Sequence, residues 1–393
     1  MENFNFYSPT FFAFGKEREN ECGELVTRFG GRKVLIHYGG GSVIRTGLLD
    51  RVRASLEKAS IPYIELGGVK PNPRSGLVYE GIELCKKEAV DFILAVGGGS
   101  VIDSAKAIAA GTLYDGDFWD FYEGKAAITK ALPVGTVLTI SAAGSEGSPD
   151  SVITKEEGML KRGAGSDFLR PKFSVLNPAL TQTLPAYQTA CGITDIIAHL
   201  YERYLTNTKD VEVTDRMIEA LILAMITEGP KVVSNPDDYE ARANIMWAGM
   251  MAHNNSCGVG RSQDWTSHGI EHELSALYDC AHGAGLAVTM PAVFTYNMKH
   301  DVMRFAQIAV RVWGCQMDFA NPCNTAKAGI EALRSFLISI GMPKNFKELG
   351  ADEADIERLA HTCCYGDGSG SGTIGGFTPL SQSDVEAIYR LML

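Results

Sequence analysis

The chain holds eight histidines, and three of them fall within fifteen residues: His268, His272 and His282. His268 and His272 stand four apart inside a helical pattern, so they share one face, with Cβ atoms about 5–6 Å apart. Asp195 and His199 repeat that spacing upstream, on the helical stretch 194–204. Two such pairs on two helices, with His282 beyond them, present one carboxylate and several imidazoles to a single divalent ion. A lone histidine on a helix is ordinarily structural or solvated; a set of this size points to metal. Aspartate with histidine suits Zn²⁺ or Fe²⁺ and does not choose between them. Cys280 is the only thiol near the cluster and reads as structural.

Two glycine clusters carry the other chemistry. Gly97-Gly98-Gly99-Ser100 runs into a helix opened by Val101, Ile102 and Asp103. Glycines let the backbone approach a pyrophosphate, and a helix N-terminus offers free N–H groups at its positive end. The spacing is not Gly-x-Gly-x-x-Gly, so by itself the run fits a nucleotide turn and a plain glycine-rich turn equally well. Gly39-Gly40-Gly41-Ser42 ends an earlier strand. An acid at such a turn binds the adenosine ribose 2′-hydroxyl and repels a 2′-phosphate. This turn offers Ser42, glycine N–H groups and Arg45 instead, which favours NADP over NAD.

Periodicity supplies the elements that position these residues. Short apolar runs at 34–38, 61–66, 92–96 and 134–140 read as strands, and the stretches 48–59, 77–87 and 101–110 between them as helices. Alternation at that pitch means an α/β layer with a parallel sheet. Beyond residue 184 long helical patterns take over: 213–226, closed by a Gly229-Pro230 stop, then 242–252, 267–278, 303–313 and 325–340. A last helix starts near Ser381, with Asp384 completing a capping box. The expected division is an α/β domain over 1–184 and an all-α domain over 185–393, with the glycine- and serine-rich stretch 366–376 as a loop.

Composition excludes other classes. The 393 residues are 45% apolar and 21% charged, ordinary for a globular chain of two domains. A net charge of −11 argues against nucleic acid or an anionic membrane as the main partner. No run of 18 apolar residues is present, so no transmembrane span is expected, and residues 1–15 lack the features of a signal peptide. The nine cysteines are odd in number and form no Cys-x-x-Cys pair, as expected of reduced thiols in a cytoplasmic protein.

The residues together resemble the iron-containing (group III) alcohol dehydrogenases over nearly the full length. The resemblance rests on Gly97 to Asp103, the Gly144-Ser145-Glu146 turn, Asp195-x3-His199, and His268-x3-His272-x9-His282-Gly283-x-Gly285. Residues 34–42, 171–176, 239–244 and 271–276 look most like NADPH-dependent butanol dehydrogenases. The resemblance implies a dehydroquinate synthase-like fold: an α/β dinucleotide-binding domain, an all-α domain, and an active site in the cleft between them. It implies Asp195, His199, His268 and His282 as metal ligands, with His272 beside the metal as a proton relay and not a primary ligand. Gly97, Gly98, Gly99 and Ser100 would bind the pyrophosphate, with Asp103 near the nicotinamide ribose. Thr139, Ser141, Ser145 and Ser148 would line the cofactor groove, and Lys161 would reach the nicotinamide ribose. Gly39, Gly40 and Ser42 would hold the 2′-phosphate end and Asn72 the adenosine side. His37 and His253 have no place in the pattern and read as structural.

One departure stands out. Where the family commonly has Thr-Gly-Ser-Glu and then a bulky residue, this chain reads Ala143-Gly144-Ser145-Glu146 and then Gly147-Ser148-Pro149-Asp150. A hydroxyl is lost, and Gly147 predicts a wider pocket entrance. Trp265, Leu274, Leu277, Tyr278 and Phe294 are expected to supply apolar pocket surface. The activity implied is hydride transfer between NADP(H) and a small aliphatic alcohol or aldehyde, aided by a metal acting as Lewis acid. A homodimer is implied as well. The alternative is a dehydroquinate synthase-like or polyol-type enzyme using NAD and a metal. A phosphorylated substrate would call for basic residues, and residues 262–298 contain no Lys or Arg.

Overall fold

The computed structural model describes residues 1–142, 144–366 and 371–393. The chain divides into two compact units, Tyr7–Leu184 and Pro185–Leu393, with Met1–Phe6 counted in the second.

The first unit is built on a six-stranded parallel sheet of β1 (Phe11–Phe14), β2 (Val34–Gly39), β3 (Tyr63–Val69), β4 (Phe92–Gly97), β5 (Val134–Leu138) and β8 (Phe173–Leu176). Their order across the sheet is β1-β8-β5-β4-β2-β3. Every residue of β4 is buried, the mark of a central strand covered on both faces. The helices are α1 (Cys22–Arg28), α2 (Ser42–Arg45), α3 (Leu48–Lys58), α4 (Ser75–Glu88) and α5 (Gly99–Thr112). An antiparallel hairpin, β6 (Asp150–Lys155) with β7 (Leu160–Gly165), stands apart from the sheet. The chain winds outward from β2 to β3, then crosses back to β4 and continues to β5 and β8. The switch point therefore lies between β2 and β4, where ligands of open α/β sheets bind at the carboxyl ends of the strands. Both glycine clusters sit there: Gly39 closes β2 and Gly97 closes β4.

Several elements carry no clear periodic signal. β1 and β8 are four residues each, and the hairpin strand β7 contains Gly163 and Gly165 among few β-formers.

The second unit is helical: α6 (Ala186–Tyr204), α7 (Glu212–Ser234), α8 (Tyr239–His253), α9 (Thr266–Tyr278), α10 (His282–Asn297), α11 (Val302–Arg311), α12 (Pro322–Ser339), α13 (Phe346–Leu349), α14 (Ile356–Tyr365) and α15 (Gln382–Arg390). The stop expected at Gly229-Pro230 is overridden, since α7 continues to Ser234 with Pro230 inside it. Proline removes one backbone donor there, while the buried Val232 in the following turn packs into the core. Leu274 and Phe294, expected to line a pocket, are instead fully buried in that core with Ile196, Ile270 and Leu286. The capping box of α15 forms as its sequence predicts, with Ser381 and Asp384 bonding reciprocally. Among the described residues, no helix is long and apolar enough to cross a membrane.

Candidate functional site

Helix α6 places Asp195 and His199 one turn apart, α9 places His268, and His282 is the first residue of α10. Asp195 Oδ1 lies 3.4 Å from Nε2 of His199, 3.5 Å from Nε2 of His268 and 3.7 Å from Nε2 of His282. One carboxylate oxygen thus faces three ring nitrogens from three helices. Asp195 Oδ1 and His268 Nε2 are buried and, among the described residues, have no hydrogen-bond partner. Buried polar atoms left in this state are costly, and a bound cation removes that cost. The donor set, three imidazoles and a carboxylate, is one that Zn²⁺ and Fe²⁺ accept.

Two buried glutamates orient the rings. His268 Nδ1 bonds Glu202 and His282 Nδ1 bonds Glu271. A proton kept on Nδ1 by a carboxylate leaves Nε2 bare for a metal and makes it more basic. Glu271, His272 and His282 also come together within 4.8 Å of one another. Asp195, His268 and His282 offer ligand atoms equally close to one another, and His282 is common to both sets. Burial pushes His199 well below the usual imidazole range, helped by the neighbouring His253, His268 and Arg203. Burial opposes charge on His268 too, but Glu202 and Asp195 outweigh it and raise its pKa to about 10.

His272 is half-buried, its ring centroid 6.3 Å from that of His268 and 5.7 Å from that of His282. His253 lies closer to the cluster than its distance in sequence suggests, 4.1 Å from the His199 ring. The buried Arg203 donates 2.9 Å hydrogen bonds to the His199 carbonyl and to His253 Nδ1. Its guanidinium lies 4.7 Å over the Trp265 ring. Trp265 meets the rings of His199, His253 and His268 edge-on, 5.3–5.9 Å away. Sequence reasoning missed Glu202, Arg203 and His253 in these roles. Glu202 and Arg203 follow His199 on the same helix, and that proximity is the one available signal. His37 is buried with both ring nitrogens bonded, to the Leu66 carbonyl and the Ser104 hydroxyl, a structural role.

The nucleotide candidates split into two groups. Gly98 caps α5 and Gly99 opens it. A Cβ at Gly97 would lie 2.5 Å from Val101, and one at Gly98 3.0 Å from Ile140, whereas at Gly99 and Gly40 nothing lies within 4 Å. The first two glycines allow close packing; the other two face open space. Thr139 and Ser141 follow β5 and are half-buried, and the Thr139 amide bonds the Gly97 carbonyl. Gly39 at the end of β2 and Ser100 at the start of α5 are likewise half-buried, and Ser42, the first residue of α2, is exposed. Asn72 and Lys161 are paired with each other, Lys161 Nζ donating to Asn72 Oδ1 at 3.1 Å, and both are buried.

Ser145 and Ser148, expected to line the cofactor groove, and Asp103, expected near the nicotinamide ribose, are instead bonded within the protein. Asp103 accepts from Ser145 Oγ at 2.6 Å and from the Val152 amide at 3.0 Å, and Ser148 is fully buried. Their polar atoms are turned on one another and on Lys106. Gly147 does not open an entrance either, because it is buried and its carbonyl accepts from Arg170. Ala143 lies outside the described residues.

A parallel sheet with glycine turns at its switch point is thus joined, in one chain, to helices that gather an Asp-His cluster. The chain belongs to the iron-containing alcohol dehydrogenase family. The family model "Iron-containing alcohol dehydrogenase" matches residues 9–178, and "Fe-containing alcohol dehydrogenase family, C-terminal" matches 189–393. The chain is 41% identical to NADH-dependent butanol dehydrogenase A of Clostridium acetobutylicum over 391 residues, 99% of each chain. It is 38% identical to NADPH-dependent aldehyde reductase YqhD of Escherichia coli over 364 residues, covering 91% of this chain and 92% of that one. Its structure is similar to the crystal structure of NADH-dependent butanol dehydrogenase A from Thermotoga maritima. The TM-score is 0.96, with 40% identity, and the match covers 100% of this chain and 99% of the other. The family uses a nicotinamide cofactor and a divalent metal, and this chain is an alcohol dehydrogenase or aldehyde reductase of that kind.

Proposed function

We propose that the chain transfers hydride between NADP(H) and small aliphatic alcohols or aldehydes of butanol-like size, with Fe²⁺ or Zn²⁺ held by Asp195, His199, His268 and His282. The observation that carries this is the convergence of three imidazole Nε2 atoms within 3.4–3.7 Å of one buried carboxylate oxygen. When bound, the ion supplies Lewis acidity toward the substrate oxygen, and the nicotinamide supplies or accepts the hydride. The protein's part is placement and proton handling. Glu202 and Glu271 hold their histidines with Nε2 facing Asp195. His272, half-buried beside the cluster, moves the proton between alcohol and solvent at its ring nitrogen.

In the α/β unit, Gly97, Gly98, Gly99 and Ser100 bind the pyrophosphate at the start of α5, with Thr139 and Ser141 beside them. Lys161 and Asn72 act as a pair, and Gly39, Gly40 and Ser42 face the 2′-phosphate. The preference for NADP(H) rests on the acid-free turn after β2, and Arg45 stands near Gly41 as a phosphate partner. Among the similar proteins, butanol dehydrogenase A is named for NADH and YqhD for NADPH. An uncharged substrate is supported by the absence of Lys and Arg from residues 262–298. We further infer a cytoplasmic homodimer without nucleic-acid or membrane partners; all nine cysteines are free thiols.

The test is a series of straight-chain aldehydes assayed with NADPH and with NADH. Each methylene added up to butyraldehyde is expected to raise kcat/KM roughly fourfold, about 0.8 kcal/mol per buried CH₂. A flat series, or a preference for polyols or phosphorylated substrates, favours the dehydroquinate synthase-like or polyol alternative.

A further inference from the structure

Lys106 is fully buried on α5, two turns into the helix. Its Nζ lies 2.7 Å from the Ser145 carbonyl, 3.0 Å from Ser145 Oγ, 3.0 Å from the Ser148 carbonyl, 3.3 Å from Ser148 Oγ and 2.7 Å from the Asp150 carbonyl. Five oxygens surround a group with three protons, so the cage matches a compact cation and not one directed bond. All five come from residues 145–150, the turn that leads into the β6–β7 hairpin.

Asp103 clamps the same turn from one helical turn earlier. It accepts from Ser145 Oγ and the Val152 amide, and its carbonyl accepts from Ser151 Oγ. Burial lowers the pKa of Lys106 to about 8, and Asp103, Asp150 and Glu146 oppose that fall, so the group is cationic at neutral pH. A buried ammonium costs far more than a methionine of similar shape would.

Thr139 is anchored at one end by its amide on the Gly97 carbonyl. The next fixed point described is Ser145, on Lys106 and Asp103. Ile140, next to Thr139, packs its side chain over Gly98, 3.0 Å from where a Cβ would stand.

We propose that Lys106 is a positioning residue for nucleotide binding: it fixes the 145–150 turn and thereby the 139–142 segment beside Gly98 and Gly99, and its oxygen cage accepts a small monovalent cation once the side chain is removed. The proposal rests on the reading that the ends of β4 and β5 hold the nucleotide.

The experiment compares wild type with Lys106→Ala as metal-loaded full-length chains. Nucleotide Kd is measured by NADPH fluorescence, together with KM for nucleotide, kcat and the melting curve. Removing a charge-assisted cage is expected to raise Kd and KM on the order of tenfold or more, with kcat at saturating nucleotide within about twofold. Ammonium chloride is expected to restore the affinity, whereas tetramethylammonium chloride at equal ionic strength, too large for the cage, is not. Wild-type Kd in a folded Lys106→Ala chain, or equal response to both salts, overturns the proposal. Should that variant not fold, Lys106→Met fills the same volume without charge; the same loss of affinity without ammonium rescue supports the proposal, and unchanged affinity overturns it. Should the methionine variant not fold either, Ser148→Ala, which removes one cage oxygen, must still raise Kd, and an unchanged Kd overturns the proposal. If wild type itself binds no nucleotide, the underlying reading fails instead.

Discussion

Replacing Gly99 by alanine should move stability and nucleotide affinity in opposite directions. Gly99 is the first residue of α5, and a Cβ built there meets no heavy atom within 4 Å. The fold therefore accommodates the methyl group without strain. Gly→Ala at a compatible helical position narrows the unfolded ensemble and is expected to stabilise the chain by about 0.4–1 kcal/mol. In a unit of this size that is roughly 1–4 °C in Tm. The same methyl projects into the open space proposed for the pyrophosphate. An extra methyl forced into a close contact costs about 1–3 kcal/mol. That corresponds to a rise in Kd for NADPH of roughly fivefold to 150-fold. Thermal denaturation without nucleotide and fluorescence titration with it measure the two effects separately. A raised Tm with unchanged Kd would refute the placement of the pyrophosphate over Gly99. Gly97→Ala is the contrasting control: its Cβ would stand 2.5 Å from Val101, so it should lose stability.

Other perturbations follow from the same geometry. His268→Ala should abolish bound metal and turnover together, whereas His272→Ala should keep its metal and lose rate on the order of 10²-fold; metal analysis and kcat on both variants decide, and equal metal loss would show the ligands wrongly assigned. Glu271→Gln leaves His282 without its carboxylate partner and should weaken metal affinity by roughly 10- to 100-fold in a competitive chelator titration. Gly40→Asp should reduce or reverse the preference for NADPH over NADH in kcat/KM, because a carboxylate repels a 2′-phosphate and binds a ribose hydroxyl. A wild type that already prefers NADH would mean that the acid-free turn has been misread.

The sequence made the metal cluster visible because i,i+4 spacing is a local property. Asp195 with His199 and His268 with His272 each need only one helix to be read correctly. The buried strand β4 was legible for a similar reason, as a short continuous apolar run ended by glycines. What stayed hidden depends on contacts between distant segments. Glu202 reaches His268 across 66 residues, and Lys106 reaches Ser145 across 39. No periodicity distinguishes those residues from a solvated glutamate or lysine on a helix. Asp103, Ser145 and Ser148 have the types expected of cofactor ligands, yet Lys106 engages the two serines, and Ser145 and the Val152 amide engage Asp103. Pro230 shows the same limit, since a local stop signal yielded to the packing of Val232. Leu274 and Phe294 are apolar in either setting, and only the assembled helices assign them to the core.

The central claim is that the Asp195 cluster holds a divalent ion on which turnover depends. The most direct measurement is metal content and NADPH-dependent butyraldehyde reduction on one preparation, purified without oxygen, then stripped by chelator, then restored with Fe²⁺ or Zn²⁺. The account predicts a single tightly bound ion per chain, loss of turnover on stripping, recovery with one or both ions, and no recovery in Asp195→Ala. Full turnover in the stripped wild type, or metal-dependent turnover retained by Asp195→Ala, would contradict it.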